Sequence, residues 1–390
     1  MKVLMAHNRY RLPGGEDTVF ESERDLLRSH GHHVDTYEIS NTSIADSIGG
    51  RLAVAGAALV GGDGFRGLVR ALDGAEYDIC HFYNTFPLIT PNAYRACRAS
   101  GTRVVQTVQN YRFICPGALL YRDGRICDEC VGRRFHWPGV RHGCYRGSTF
   151  GSGVVASVTA LHRALGSFDH VDRFIAATEF SKEQLAAGGI PAERIAVKPN
   201  FTDVSDTPRW IGGDDVLFVG RLTTEKGVHT LLRAWPDVEG ERVLRIAGDG
   251  PERSELEGMV GSEGIQRVEF LGWLDQSEVD RLMRESAVLV VPSEWYEGFP
   301  TTIARALGMA VPVVGSDLGG VGEILRTVDP GSVFPPGDSR ALARVVSSMV
   351  ESREARSSLS RAAERAFEER YTPARNYEAL MRIYSDCLSL

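Results

Sequence analysis

Short apolar runs alternate with helical stretches along this sequence, and the alternation starts over about midway. The apolar run 2–7 ends in the polar His7, Asn8 and Arg9. The pair Gly14-Gly15 follows, then a helical pattern through Val19, Phe20, Leu26 and Leu27. That order reads as strand, glycine loop and helix. Further strands are expected at 34–39, 78–83, 103–108, 174–177 and 195–198, with helices over 44–72 and 92–99. Ser181 with Gln184 three residues on marks another helix start. Residues 202–214 are polar and rich in Pro, Gly and Asp, and read as a linker. Beyond it strands are expected at 216–219, 243–247, 268–271, 288–291 and 311–314 with helical segments between, then a helical tail over 339–390 broken near Thr372-Pro373. Strands alternating with helices imply parallel sheets covered on both faces. Two blocks imply two Rossmann-like, doubly wound α/β domains, and ligands of such sheets bind beyond the carboxyl ends of the strands. Two such domains facing each other would hold the site in a cleft. The expected domains are 1–205, carrying an insertion at 115–147, and 206–372, with a helix at 373–390 packing back toward the first.

A length of 390 residues suits two domains. Hydrophobic residues at 43% provide the cores, and a net charge of -7 argues against a dedicated nucleic-acid binder. The longest apolar stretch, 52–60, is too short for a transmembrane segment. The opening MKVLMAHNRY lacks the features of a signal peptide, so a cytoplasmic location is expected. Only four of the 44 basic residues are lysines, at 2, 182, 198 and 226, as expected of a GC-rich bacterial genome.

Arg221 and Lys226 follow the expected strand 216–219 in VGRLTTEKGV. A guanidinium fork and an ammonium at a strand end, where a helix begins, suit a diphosphate. AGDGPE (247–252), FLGWL (270–274) and VPSEWYEGFPTTIARALGMAVPVVGSDLGG (291–320) come after them in series. This arrangement resembles the nucleotide-binding half of glycosyltransferase family 4, whose members are retaining enzymes of GT-B fold. Gly14-Gly15, HFYNTFP (81–87) and KPNFTD (198–203) resemble that family's N-terminal half, so the likeness spans nearly the whole chain. It implies a nucleoside-diphosphate sugar as substrate, with Arg221 and Lys226 on the diphosphate and Glu297 accepting hydrogen bonds from the sugar hydroxyls. It also places the backbone of Phe299, Pro300 and Thr301 on the donor, and has Gly14 and Gly15 admit the diphosphate closely. The sequence has no Asp-any-Asp triplet, so catalysis without a divalent metal is expected.

Two positions depart from the family's pattern. Arg305 stands where a second glutamate usually contacts the ribose, and an arginine cannot accept hydrogen bonds. Gln109, in VQNYR, stands where a histidine near the donor sugar is usual, and glutamine does not titrate near neutrality. These departures keep open a non-catalytic sugar-nucleotide-binding protein, and a sugar-nucleotide epimerase of the same fold is the other alternative. The acceptor (polysaccharide, lipid-linked sugar or small natural product) and the oligomeric state are not legible.

Cys115, Cys127, Cys130 and Cys144 lie in a segment poor in periodic hydrophobic residues, with Cys127 and Cys130 in a C-x-x-C. A structural zinc held by the four thiolates would supply its folding energy. His136 and His142 are lesser candidate ligands, and two disulfides are the rival, disfavoured in the cytoplasm. GSGVVA (151–156) matches a loose dinucleotide pattern, but no strand precedes it, and it reads as a helix start. His7, His81 and Asn84 lie at expected strand ends, either touching ligand or satisfied as polar residues of loop starts.

Overall fold

The computed structural model describes residues 1–10, 14–43, 56–57, 61–204, 207 and 209–390. Residues 44–55 and 58–60 of the expected helix over 44–72, most of the apolar stretch 52–60 and the expected domain boundary at 205 and 206 lie outside the described residues. The chain forms two compact units. One comprises Met1–Leu120, Cys127–Pro199 and Asn376–Leu390, and the other Tyr121–Ile126 and Asn200–Arg375.

The elements of the first half are β1 (Lys2–Arg9), α1 (Gly15–Ser29), β2 (His33–Ser40), α2 (Asp63–Leu72), β3 (Ile79–Phe82), α3 (Asn92–Ala99) and β4 (Arg103–Val108). A short hairpin β5 (Tyr121–Arg122) and β6 (Arg125–Ile126) follows, then α4 (Trp137–Arg141), α5 (Thr149–Ala164), β7 (Arg173–Ala176), α6 (Glu179–Ala187) and β8 (Ile195–Val197). Six of these strands form a parallel sheet in the order β2-β1-β3-β4-β7-β8. Side chains alternate across a strand, so each strand feeds two cores. Leu4, Cys80, Phe82, Val104 and Phe174 pack on one face with Leu68 of α2 and Tyr94 of α3. Val3, Met5, Ile79, Val105 and Ile175 pack on the other with Phe20 and Leu27 of α1, and with Leu380, Ile383 and Tyr384 from the distant end of the chain. The strands therefore read as near-continuous apolar runs, because both faces are buried.

The second unit continues with β9 (Val216–Val219), α7 (Val228–Ala234), β10 (Leu244–Ala247), α8 (Arg253–Ser262), β11 (Val268–Gly272), α9 (Gln276–Glu285) and β12 (Val288–Val291). It closes with α10 (Thr301–Gly308), β13 (Val313–Ser316), α11 (Gly319–Val328), β14 (Val333–Phe334), α12 (Ser339–Glu351) and α13 (Arg353–Arg370), after which α14 (Pro373–Ser389) returns to the first unit from Asn376 onward. Its sheet is also parallel, in the order β11-β10-β9-β12-β13-β14. Val216 and Phe218 point into one core and Leu217 into the other. Asp275 starts α9 with a reciprocal cap: its Oδ1 accepts from Glu278 N at 2.9 Å, and its own N–H donates to Glu278 Oε2 at 3.2 Å. Among the described residues no helix is long and apolar enough to cross a membrane.

Candidate active site

In the second unit the polar residues gather where β9, β10 and β12 end. Past β9 the chain turns through Thr224–Lys226 and reaches Gly227 at φ +69, a left-handed conformation that favours glycine. A Cβ there would lie 2.0 Å from the Pro292 carbonyl oxygen, so only glycine lets this turn press against the loop after β12. Gly248, at φ +141, likewise brings the loop after β10 onto the Gly220 carbonyl, 1.9 Å from where a Cβ would stand. Both glycines pull their loops onto one strand-end surface.

That surface joins residues far apart in sequence. Lys226 Nζ lies 2.8 Å from Glu297 Oε1, and Ser293 Oγ donates to the same carboxylate oxygen. Glu297 is buried, its side chain 7% exposed, whereas the Lys226 side chain retains 25%. The Lys226 ammonium also stands 5.6 Å from the centre of the Trp295 ring. The N–H of Gly320, in the first turn of α11, donates to the Glu297 carbonyl oxygen at 2.8 Å and fixes the loop from behind. Arg221 is exposed and has no ion-pair partner among the described residues. Pro300 caps α10 and Thr301 begins it, so the first-turn amides follow directly on Phe299, which packs edge-on to Tyr371 at 5.7 Å.

Arg305, on α10, turns to α9. Its Nε donates to Asp280 Oδ1 at 2.5 Å, its Nη2 donates to Asp280 Oδ2, and its Nη1 reaches Thr202 Oγ1 at 3.4 Å. This two-pronged pair neutralises the guanidinium away from Glu297. The sequence showed the arginine but not its partner, 25 residues upstream on another helix.

In the first unit a second polar cluster forms where β1 and β4 end. Gly14 N donates to Asp17 Oδ2 at 2.8 Å, and Asp17 Oδ1 holds His7 Nε2 at 2.9 Å. The buried His7 ring stacks on Phe20 with centroids 4.9 Å apart. Among the described residues, chain neighbours aside, a Cβ on Gly14 or Gly15 would meet no protein atom within 4 Å, so packing among them does not demand glycine at either position. Sequence reasoning passed over Glu16. It accepts from Tyr10 Oη at 2.8 Å and from Asn110 Nδ2, and burial holds its carboxyl above the usual range despite those bonds. The signal was available in the acidic residue following the glycine pair. Gln109, the neighbour of Asn110, is half-buried beside this cluster.

His81 and Asn84 are satisfied interior groups. His81 Nε2 meets Thr107 Oγ1 and its Nδ1 meets Tyr384 Oη, both at 2.7 Å. Burial, with Lys198 nearby, depresses its pKa well below the ordinary value and keeps the ring neutral. Asn84 Nδ2 donates to the Asn8 carbonyl at 2.7 Å, and its Oδ1 accepts from Phe86 N at 3.0 Å.

The expected zinc site finds no support in the structure. Among the described residues no three His, Cys, Asp or Glu side chains are placed to hold a metal ion, and Cys115, Cys127, Cys130 and Cys144 form no disulfide. The segment carries buried residues and backbone hydrogen bonds of its own. Tyr111, Ile114, Ala118 and Leu120 are buried, with backbone bonds from Cys115 N to Tyr111 O (2.8 Å) and from Cys144 N to Gly139 O (3.0 Å). Burial, then the neighbouring Cys115, Cys144 and Cys127, pushes the Cys130 thiol up to about 12. His136 is buried, both ring nitrogens lack a hydrogen-bond partner among the described residues, and burial pushes its pKa down to about 4. The unfolded chain, with histidine near 6.5, takes the proton first, so His136 costs stability as pH falls from about 6.5 toward 4. We expect urea unfolding to show roughly 2–3 kcal/mol lost over that interval through this group. His136→Phe should remove that share of the slope, and an unchanged slope would show that His136 titrates alike in the folded and unfolded chain.

Residues 211–366 match the family described as Glycosyl transferases group 1. The exopolysaccharide phosphotransferase SCO2592 of Streptomyces coelicolor is 31% identical over 188 residues, 46% of this chain and 20% of that protein. The alpha-D-kanosaminyltransferase of Streptomyces kanamyceticus is 29% identical over 185 residues, 43% of this chain and 48% of that protein. The chain thus spans less than half the length of these curated relatives. The crystal structure of Anabaena Alr3699/HepE in complex with UDP is similar with a TM-score of 0.70, covering 99% of this chain and 100% of that one at 18% identity. The two Rossmann-like units together make the fold GT-B.

Proposed function

We propose that this chain is a retaining glycosyltransferase that moves a sugar from a nucleoside-diphosphate donor to an acceptor hydroxyl. The observation that carries the proposal is the strand-end set of the second unit: an uncommitted Arg221, and Lys226 held 2.8 Å from the buried Glu297. Such a set can take a diphosphate and a sugar hydroxyl side by side. The second unit also holds the family match, and Alr3699/HepE, which shares the fold, is solved with UDP. In this mechanism Arg221 and Lys226 stabilise the charge that grows on the departing diphosphate. Glu297 accepts from the sugar, and the amides of Phe299 and Thr301 hold the donor beside Pro300. Gly14 and Gly15 keep the first-unit loop clear of side chains where the diphosphate approaches, and Gln109 positions the sugar. The acceptor oxygen bonds to the anomeric carbon on the face the diphosphate leaves, and a phosphate oxygen takes the acceptor's proton. The two cations stand in for a divalent metal.

Arg305, committed to Asp280, favours a second reading in which the chain binds a sugar nucleotide without turning it over. A thermal-shift panel of UDP, GDP, ADP and dTDP, followed by donor hydrolysis without acceptor, separates the two. A ligand at 100 times its Kd stabilises the fold by about 2.7 kcal/mol. We expect one nucleotide to raise Tm clearly, and its sugar conjugate to be hydrolysed slowly. A shift without hydrolysis, and without transfer to any acceptor offered, would support the binding protein. No shift from any nucleotide would remove the donor site altogether.

A further inference from the structure

Beside Gln109 the first unit holds a partly open cavity of about 60 Å³. Its floor is Phe113, Val155, Val158 and Phe168, and Arg112 stands among its lining residues. Both valines lie on α5, Val155 within the GSGVVA segment and Val158 just beyond it. By volume the space takes a handful of heavy atoms, well short of a sugar ring with its hydroxyls.

The polar side chains around it are already engaged within the protein. Gln106 Nε2 donates to the carbonyls of Tyr83 (2.9 Å) and Thr107 (2.7 Å), and its Oε1 accepts from Tyr94 Oη at 2.7 Å. Thr159 Oγ1 donates to Val155 O at 3.0 Å, and the Asn84 amide is taken up as described above. A hydroxyl seated deep in this space would lose water without finding these partners, whereas a methyl would lose nothing. Arg112 is different. Its guanidinium lies 5.2 Å from the Phe86 ring centre and 5.4 Å from that of Tyr145, and its Nη1 donates to Pro116 O at 3.3 Å. The other N–H groups of this fork make no hydrogen bond among the described residues, though the charge is near enough to Glu16 to favour its ionised form. A cation packed against a pair of rings that touch each other edge-on, with centroids 5.9 Å apart, is held in place to donate to a carbonyl.

We propose that this cavity is an acceptor subsite for an acetamido group, so that the transferase prefers N-acetylated amino-sugar acceptors. Resting on the transferase proposal above, the acetamido methyl fills the space between Val158 and Phe168, and its carbonyl accepts from Arg112. The same group would set which acceptors are taken, with no part in the bond-breaking step.

The test uses the whole chain with two probes, methyl N-acetylglucosaminide and methyl glucoside, read by saturation-transfer NMR, with UDP-induced thermal shift measured in parallel. The wild type should bind the acetamido probe at least tenfold more tightly, with its methyl protons the most strongly saturated. Val158→Phe, which fills the cavity, and Arg112→Met, which removes the donor but keeps the stem, should each erase that preference. The milder Val158→Ile should reduce it severalfold should the larger side chain prevent folding. UDP should shift every folded variant equally. Equal binding of both probes, or an undiminished preference in folded Val158→Phe and Arg112→Met, with UDP binding intact, overturns the subsite and leaves the transferase proposal standing. Absence of UDP binding in the wild type overturns the transferase proposal and the subsite with it.

Discussion

Arg221→Ala is expected to lower kcat by about 10²–10³-fold, the loss seen when one preorganised group opposite a growing negative charge is removed. Arg221 is exposed and unpaired among the described residues, so its removal should leave stability within about 0.5 kcal/mol. Lys226→Ala would be harder to read. Glu297 would keep Ser293 but lose its cation, and the buried carboxylate would then weaken the fold as well as the donor site. Steady-state hydrolysis of the donor, with urea unfolding beside it, measures the Arg221 effect cleanly. A kcat within threefold of wild type would place Arg221 off the leaving group.

The largest effect on stability is expected from Lys198→Met. Lys198 and Glu23 pair in the core of the first unit with side-chain exposures of 1% and 0%, and Tyr83 Oη donates to the other Glu23 oxygen at 2.6 Å. Leaving Glu23 charged and alone should cost about 3–5 kcal/mol in urea unfolding. Removing both charges, in Lys198→Met with Glu23→Leu, should recover most of it, less what Tyr83 loses with its acceptor. A double variant no more stable than Lys198→Met would mean that packing around the lysine stem, rather than the pair, holds this region.

Much of the architecture could be read in advance because its strands are buried on both faces. Runs such as 103–108 and 288–291 leave few alternatives once helices separate them. The convergence of Lys226 and Glu297 followed from the same rule, since both lie just past a strand end. Partners remote in sequence were not legible. The ring of His81 is fixed by Tyr384, 303 residues away, and Arg305 by an aspartate on a separate helix. The cysteine segment was hard to read for a different reason. Its buried residues Ala118 and Leu120 sit at φ +67 and +51, in turns that no helical or strand periodicity announces. Glu16 was overlooked because a carboxylate in the first turn of a helix is ordinary, and only Tyr10 and Asn110 make this one unusual.

The return of α14 has a consequence for how the protein is made. A ribosome delivers residues 1–199 long before Asn376, whose side chain donates to the Pro199 carbonyl at 2.8 Å across 177 residues. Until then one sheet face of the nascent first unit lacks Leu380, Ile383 and Tyr384, and His81 lacks its tyrosine. The second unit, apart from the short hairpin 121–126, is continuous from Asn200 to Arg375 and can close as it emerges, so the part synthesised first is completed last. A premature stop before Asn376 would therefore leave its damage at the opposite end of the message, exposing an apolar face to chaperones and proteases while the later-made unit stands folded.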